Sequence, residues 1–292
     1  MVDERTVIEE FGDLDVFLAF DEAQVEIRVM AELSDDKRLI QVISSGEDIH
    51  QSVGHDLTGL PPETFAHGKS RVMMKARHFS IVYGKIPENC YAELIAKGIK
   101  TTLEEVEEFY ENYFGKYKGV KKYIDYCHEF AEDHGYAKTL FGLIREIPKV
   151  KEGGAGASWQ NQAVNTPIQG TAHNLIMIAL AQKKRKRVTY ELLKHLLMEI
   201  HDALYFRIKL RDLPEAYRLG KFLLEDEVKI GAKKRFGVDL KVPLLAEAKV
   251  GFRLGAMYEG YKGGSISEFV NNWIEFNRET NKKIKESMKV LQ

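Results

Sequence analysis

The chain has 292 residues, of which 44% are hydrophobic and 30% are charged. This composition is typical of a globular protein with one large domain or two small ones. Lys plus Arg (43) and Asp plus Glu (44) nearly cancel, so the net charge of -1 indicates no particular partner. The sequence has no apolar run of membrane-helix length and no signal-peptide pattern, and Cys90 and Cys127 lack metal-ligand spacing. These features predict a cytoplasmic protein that does not enter a membrane.

In chain order, the first predicted element is a buried strand at 14–20, and helical spacing follows at 21–33. Helical patterns then fill 63–135, where Thr102 begins a capping-box sequence. The later elements are a glycine-rich loop, a helix, a hairpin and a strand, at 151–157, 163–186, 196–208 and 241–250. Strands flank a mainly helical middle, which predicts an α+β fold. The last stretch, 255–292, is compatible with a docked helix or a flexible tail.

Two aspartates stand at positions where predicted strands end. Asp21 follows the first strand, and Asp202 lies at the tip of the predicted hairpin. Carboxylates brought together from adjacent strands repel each other, and a divalent cation between them removes that penalty. Such a pair suits two-metal phosphoryl transfer. Each aspartate alone is more typical of an ordinary turn or strand end, so the pair needs support from other motifs.

A periodic set of cations and rings occurs at 71–84. Arg71, Lys75, Phe79 and Tyr83 recur every four residues, which places them on one helical face about 18 Å long. Two cations can hold a polyphosphate, and two rings can pack on a sugar and a base. The order of charges followed by rings favours a nucleotide site over an ordinary amphipathic surface helix.

Six segments occur in an order that resembles a known family. They are 21–28 (DEAQVEIR), 46–50 (GEDIH), 71–84 (RVMMKARHFSIVYG), 135–142 (GYAKTLFG), 165–172 (NTPIQGTA) and 198–202 (MEIHD). Together they resemble the polymerase region of the DNA polymerase I family (family A). The resemblance implies a palm with an antiparallel sheet and an inserted helical fingers subdomain. The implied divisions are 1–60 (palm), 61–134 (fingers), 135–255 (palm) and 256–292 (a tail of unknown role).

The resemblance also implies roles for individual residues. Asp21 and Asp202 would hold two Mg²⁺ ions, together with the backbone carbonyl of Glu22. The residues that would contact the incoming dNTP are Glu26, His50, Arg71, Lys75, Phe79 and Tyr83, with Glu26 rejecting ribonucleotides. The residues that would contact primer-template DNA are Gln24, Tyr136, Thr139, Arg145, Asn165, Gln169 and His201.

Two of the departures from the family pattern bear most directly on function. Ala203 stands where the family commonly has a glutamate after His-Asp, and only about 13 residues precede the first palm strand. The family's thumb and exonuclease-like domain have no counterpart. We therefore expect a phage-like, split polymerase in which a second polypeptide supplies the thumb and possibly an exonuclease.

Three alternatives to a split DNA polymerase stay open at this point. The first is a minimal polymerase that works alone. The second is a phage-type RNA polymerase, which Glu26 disfavours because a ribonucleotide enzyme must leave the 2′ position open. The third is an inactive replisome-scaffold protein that binds DNA. A scaffold has no need for Asp21, Asp202, Arg71 and Lys75 together, so their presence favours an enzyme.

Overall fold

The computed structural model describes residues 4–147, 157–181 and 189–290. Most of the predicted glycine-rich loop at 151–157 and the end of the predicted helix at 163–186 lie outside these ranges. The chain forms two compact units. The first unit comprises Met1–Ala23, Leu175–Ala232 and Leu244–Gln292, and the second comprises Gln24–Asn174 and Lys233–Pro243.

The described elements confirm the predicted α+β class. The strands are β1 Asp15–Glu22, β2 Tyr136–Lys138, β3 Ile144–Glu146, β4 Leu196–Ile200, β5 Ala203–Lys209, β6 Ala246–Arg253 and β7 Ala256–Tyr258. The helices are α1 Glu4–Phe11, α2 Val25–Ser34, α3 Lys37–Ser44, α4 Ile49–Thr58, α5 Gly68–Val82, α6 Pro87–Ala96, α7 Leu103–Lys116, α8 Lys118–His134, α9 Ala157–Leu180, α10 Tyr190–Leu193, α11 Leu213–Phe222, α12 Val228–Phe236 and α13 Ile266–Val290. A π-helical turn, Leu223–Glu227, joins α11 to α12.

An antiparallel five-stranded sheet organises the first unit, in the order β4-β5-β1-β6-β7. Strand β1 is central, because it pairs with β5 on one side and with β6 on the other. Val16, Leu18 and Phe20 alternate along β1 and are fully buried on one face of the sheet. Asp21 therefore lies on the opposite face, one residue beyond the apolar series.

The sequence after β6 completes the sheet and docks a helix on it. The ring centroids of Phe252 and Trp273 lie 4.9 Å apart, and the indole N–H of Trp273 donates to the Ala256 carbonyl at 3.1 Å. Glu4 of α1 accepts hydrogen bonds from the backbone N–H of Ile266 and Ser267 at the start of α13. Of the two alternatives for 255–292, the docked helix is the one observed.

Helices α2 to α8 form most of the second unit, and β2 pairs with β3 in a short hairpin. The predicted capping box is confirmed, because Thr102 and Glu105 exchange hydrogen bonds at the start of α7. Helix α9 begins at Ala157, six residues before its predicted start, and contains Pro167. Among the described helices, none combines the length and apolar character needed to cross a bilayer.

Gly220 of α11 permits the close approach of this helix to the sheet. A Cβ atom at this position would lie 2.0 Å from Cε2 of Phe20, whose ring is fully buried. We expect Gly220→Ala to lower the free energy of unfolding by about 1–3 kcal/mol, because the ring must leave its packed position. Urea titration followed by circular dichroism measures this loss.

Gly115 of α7 provides the matched control, because a Cβ atom there would meet nothing within 4 Å. We expect Gly115→Ala to be neutral or to stabilise by up to about 1 kcal/mol through helix propensity. Equal midpoints for Gly220→Ala and the unchanged protein would contradict the packing argument.

Candidate functional site

The register of the sheet brings the two predicted aspartates to the same end of adjacent strands. Asp21 of β1 is the register partner of Ala203 of β5. Ile200 of β4 also pairs with Ala203, so that a two-residue turn, His201 and Asp202, joins β4 to β5. Asp202 thus directly precedes the residue opposite Asp21. Both aspartates are partly exposed, and ions can reach them.

The turn that carries Asp202 has an unusual backbone. His201 has φ of 57°, in the left-handed region that non-glycine residues rarely occupy. Such a conformation costs free energy and persists only where the surrounding structure imposes it. Here the closed pairing of β4 with β5 imposes it, and the side chain of His201 is exposed at the tip.

The oxygen donors at this end of the sheet fit Mg²⁺. Carboxylates are its preferred protein ligands, and one or two of them suffice because waters and substrate phosphates complete the octahedron. Asp21 and Asp202 supply two such groups, and the main chain of Glu22 adjoins the first. Within the described part of the chain, no three His, Cys, Asp or Glu side chains form a denser metal cluster.

Strand β6 adds charged residues to this face that the sequence reasoning missed. Glu247 is the register partner of Asp21 on the side opposite Ala203. Lys249 pairs with Glu259 at 2.9 Å, and this hydrogen bond raises the pKa of Lys249, with smaller contributions from Asp21 and Tyr205. No sequence motif marks these residues, because only the β1–β6 register places them beside Asp21.

In the second unit, α5 gathers the predicted nucleotide-binding side chains on one face. The rings of Phe79 and Tyr83 stack with centroids 5.9 Å apart and planes 27° apart. The Lys75 ammonium lies 5.7 Å from the centroid of the Phe79 ring. With Arg71, these residues line a cavity of about 380 Å³. The four-residue spacing thus produces a continuous surface of cations followed by rings.

The same cavity contains an ion-paired cluster that the sequence reasoning missed. Glu93 of α6 accepts hydrogen bonds from Lys85 at 2.7 Å and from Lys97 at 2.6 Å. These two bonds, with Lys85 making the larger contribution, lower the pKa of Glu93. One carboxylate shared by two ammonium groups leaves an excess of positive charge, which favours an anionic ligand.

Asp48 fixes the orientation of the Arg71 guanidinium. Both terminal nitrogens of Arg71 donate to the two carboxylate oxygens, with Nη2 to Oδ2 at 2.6 Å. Asp48 also accepts the backbone N–H of Gln51 at 2.9 Å and so caps α4. Burial raises the pKa of Asp48, but the bonds from Arg71 and Gln51 outweigh it and the net pKa is lowered. The ionised carboxylate therefore holds Arg71 at the cavity.

Glu26 is held in a comparable way. The Tyr83 hydroxyl donates to Oε1 of Glu26 at 2.9 Å. Glu26 lies in the first turn of α2, and Tyr83 directly follows α5. The two residues that the family resemblance assigns to the sugar of the nucleotide are therefore in contact.

His50 is fully buried in the second unit rather than exposed to the cavity. Its ring packs on Phe79 with centroids 5.6 Å apart, and its Nδ1 lies 3.3 Å from Nδ1 of His78. Burial lowers the pKa of His50 to about 4, the positive charges of Arg71 and Lys75 act in the same direction, and Asp48 opposes them. His50 is therefore neutral near pH 7.

The predicted DNA-contacting residues differ in how they are held. Asn165 and Gln169 lie one turn apart on α9, and the Asn165 amide donates to the Gln169 side chain at 3.2 Å. Gln24 precedes α2 with φ of 53°, a second left-handed residue in a predicted site position. Gln169 is exposed, whereas Asn165 and Gln24 are half-buried.

The β2–β3 hairpin carries the other three predicted DNA contacts. The Tyr136 ring packs edge-on against Phe130 with centroids 5.3 Å apart, and Arg145 is exposed, with a weak contact to Thr166 at 3.5 Å. Thr139 is only 4% exposed, and its hydroxyl donates to Asn174 of α9 at 2.9 Å. Thr139 thus fastens the hairpin to α9, and its contact with DNA stays a prediction.

The antiparallel sheet with its two aspartates and the helical unit that contains α5 are the features that the family resemblance implies for a palm and for fingers. The chain belongs to DNA polymerase family A, whose family model matches residues 5–256. The family predicted from the six motifs is confirmed. The match ends at the start of β7, so α13 lies outside it.

Individual relatives give the same assignment. The chain is 31% identical over 236 residues to DNA polymerase I of Chloroflexus aurantiacus, covering 80% of this chain and 24% of the relative. It is 32% identical over 243 residues to DNA polymerase I of Caldicellulosiruptor bescii, covering 81% and 26%. The chain thus spans about a quarter of the length of these curated relatives.

A solved structure is similar in fold as well as in sequence. It is the POL domain of Pol1 from M. smegmatis, in complex with a DNA primer-template and dNTP. The TM-score is 0.64 at 26% identity, and the match covers 82% of this chain and 40% of the other.

The low pKa of His50 predicts a specific loss of stability in acid. Below about pH 6.5 the unfolded chain takes up a proton at this histidine, whereas the folded chain does so only near pH 4. Between these values the unfolded state binds more protons, so stability falls as the pH falls. We expect the titration of His50 to lower the free energy of unfolding by about 2 kcal/mol when the pH falls from 8 to 5.

Urea unfolding of the unchanged protein and of His50→Gln at both pH values measures this contribution. The carboxylates and the other histidines titrate in both proteins, so the difference between the two pH dependences isolates His50. Identical losses of stability in the two proteins would show that His50 is not a buried neutral histidine.

Proposed function

We propose that this chain carries the nucleotidyl-transfer site of a template-directed DNA polymerase. In this reaction the primer 3′ oxygen attacks the α-phosphate of a dNTP, and pyrophosphate leaves. The observation that carries the proposal is the β1–β5 register, which brings Asp21 and Asp202 to one end of the sheet. Family membership and the similar Pol1 domain in complex with primer-template and dNTP support the same chemistry.

Asp21 and Asp202 would hold two Mg²⁺ ions, together with the main-chain carbonyl of Glu22. When bound, the ions would lower the pKa of the primer hydroxyl and neutralise charge on the departing pyrophosphate. The protein's own part is to fix two carboxylates on adjacent strands, where their mutual repulsion favours cation binding. Ala203 has no side-chain oxygen, so no carboxylate from the residue after Asp202 adds to the pair.

The face of α5 would bind the incoming nucleotide. Arg71 and Lys75 would contact the triphosphate, and the bidentate pair with Asp48 holds the Arg71 guanidinium in a fixed plane. Phe79 and Tyr83 would pack on the sugar and base. Since these groups have partners before substrate arrives, less side-chain entropy is lost on binding.

The residues proposed to track DNA act on features common to all base pairs. In the minor groove, purine N3 and pyrimidine O2 are acceptors regardless of sequence. Amide and imidazole donors can therefore check the shape of a pair without reading its identity. We assign this role to Gln24, Asn165, Gln169 and His201, and we assign contacts along the template or primer track to Tyr136, Thr139 and Arg145.

Among the alternatives, the contact between Tyr83 and Glu26 favours a deoxynucleotide substrate. A carboxylate held at 2.9 Å by the tyrosine hydroxyl cannot swing away at no cost to admit a 2′-hydroxyl. The second polypeptide, the palm and fingers boundaries and the cytoplasmic location stay predictions. Robust processive synthesis by the purified chain alone would contradict the expected second polypeptide.

Replacement of a metal-binding carboxylate tests the catalytic assignment. We expect Asp202→Asn to reduce primer extension by at least about 1,000-fold, since charge stabilisation of this kind supplies several kcal/mol in the transition state. Binding of primer-template DNA, measured by fluorescence anisotropy, should change little.

The control for this substitution is Asp212→Asn, which alters an exposed aspartate in the turn before α11. It should extend primers at the unchanged rate. Full activity of Asp202→Asn would show that the metal assignment is wrong.

Removal of the Glu26 side chain tests the proposed selection of the sugar. We expect Glu26→Ala to raise the use of ribonucleotides relative to deoxynucleotides by about 10- to 200-fold, the range for one methylene-sized steric contact. Tyr83→Phe, which removes only the hydroxyl that holds Glu26, should give a smaller change in the same direction.

Single-nucleotide incorporation with matched dNTP and rNTP measures both effects, and the dNTP rate of each variant is its internal control. An unchanged ratio in Glu26→Ala would remove the argument against a ribonucleotide enzyme.

A further inference from the structure

Three buried polar side chains form a continuous chain in the second unit. Tyr113 of α7, His78 of α5 and His50 of α4 have no exposed surface. The Tyr113 hydroxyl lies 3.1 Å from Nε2 of His78, and Nδ1 of His78 lies 3.3 Å from Nδ1 of His50. His50 packs on Phe79, so the chain ends beside a ring that lines the nucleotide cavity.

All three groups are neutral near pH 7. Burial lowers the pKa of His50 to about 4 and lowers that of His78 well below its usual value, with a further contribution from the neighbouring imidazole in His78. Burial likewise raises the pKa of Tyr113 above its usual range. Each imidazole therefore carries one proton, and the tyrosine keeps its hydroxyl hydrogen.

Only two arrangements of these three hydrogens satisfy both contacts. In the first, Tyr113 donates to Nε2 of His78, Nδ1–H of His78 donates to Nδ1 of His50, and Nε2 of His50 carries the last hydrogen. In the second, every bond is reversed, Nε2 of His50 is a bare acceptor and the tyrosine hydrogen has no acceptor. A buried donor without a partner costs free energy.

Each arrangement leaves one hydrogen and one acceptor unpaired. These are the Nε2–H of His50 and the tyrosine oxygen in the first, and the tyrosine hydrogen and the lone pair of Nε2 in the second. Nε2 of His50 is buried and has no hydrogen-bond partner among the described residues. The first arrangement is favoured because it pairs the stronger donor, the phenolic O–H, with the stronger acceptor, an imidazole nitrogen.

We propose that Tyr113 and His78 are positioning residues that set the tautomer of His50, so that its free Nε2–H is available to donate to an anionic ligand. Tyrosine is the decisive member, because its hydroxyl is the strongest donor of the three groups and Nε2 of His78 is the acceptor that the described residues offer it. The direction of every later bond follows from this one.

The identity of the anion rests on the function proposed above. His50 follows Asp48 by two residues, and the charges of Asp48, Arg71 and Lys75 all act on its ring. A triphosphate oxygen that displaced the side chains covering His50 near Arg71 would meet the Nε2–H of a neutral imidazole. This group can donate a hydrogen bond without first taking up a proton. A bare Nε2 in the reverse arrangement would repel the same oxygen.

The first experiment reads the tautomers directly in the unchanged protein. Two-bond ¹H–¹⁵N correlation spectra of ¹⁵N-histidine-labelled chain show which ring nitrogen carries the proton, and His50→Gln and His78→Gln assign the two signals among the nine histidines. We expect the proton on Nε2 of His50 and on Nδ1 of His78. A proton on Nδ1 of His50 would overturn the proposal without any variant or activity measurement.

The second experiment removes one oxygen atom. In Tyr113→Phe, His78 loses the donor that fixes its tautomer, and both histidines should show mixed signals. We expect KM for dATP opposite a template thymine, measured with a matched primer, to rise about five- to tenfold, the effect of a weakened bond to a charged ligand. kcat should stay within about twofold.

Tyr110→Phe is the matched control, since it removes another buried hydroxyl from α7 that does not contact His78. In Tyr110→Phe, the tautomers of His50 and His78 and the KM for dATP should equal those of the unchanged protein. Unaltered tautomers in Tyr113→Phe, or altered tautomers with an unaltered KM, would overturn the proposal. Absence of primer extension by the unchanged chain would instead count against the proposed function, and the spectra would still decide the tautomers.

Discussion

The antiparallel register between β1 and β5 is the constraint on which the position of the proposed catalytic aspartates in the first unit depends. The side chains of a strand alternate, so a slip of one residue would move Phe20 to the open face and Asp21 into the apolar core. Burial of Val16, Leu18 and Phe20 makes that slip expensive. The position of Asp21 relative to the His201-Asp202 turn is therefore fixed by hydrophobic packing on the opposite face.

In the second unit, the orientation of helix α5 depends on a different kind of interaction, namely hydrogen bonds of its buried polar side chains. Its cavity face carries Lys75 and Phe79, and its other face buries polar as well as apolar groups. Buried Arg77 donates to Thr101 at 2.8 Å and lies over the Phe109 ring, while His78 contacts Tyr113. Because each buried polar group needs its own partner, a rotation of α5 would leave several unsatisfied at once. The cavity face is thereby held in one orientation.

The sequence allowed those features to be predicted that depend on spacing within a segment. The common face of α5, the turn around Asp202 and the capping box at Thr102 each follow from local periodicity or local hydrogen bonding. The missed features depend on partners far away in the chain. Asp48 meets Arg71 across 23 positions, and Glu247 reaches Asp21 only through the β1–β6 register. The contact between Thr139 and Asn174 was missed for the same reason, because the two residues lie 35 positions apart in the chain.

The two groups of proposed ligand contacts differ in how they are preorganised, and this difference fits the tasks proposed for them. Arg71 and Glu26 have internal partners, Asp48 and Tyr83, so their ordering cost is met during folding. Developing charge on a triphosphate is stabilised best by donors that need no reorganisation. Gln169, Arg145 and His201 are instead exposed. Under the proposed function, DNA would advance by one nucleotide after each addition and would have to release such contacts repeatedly. Exposed side chains would release them with little loss of internal bonding.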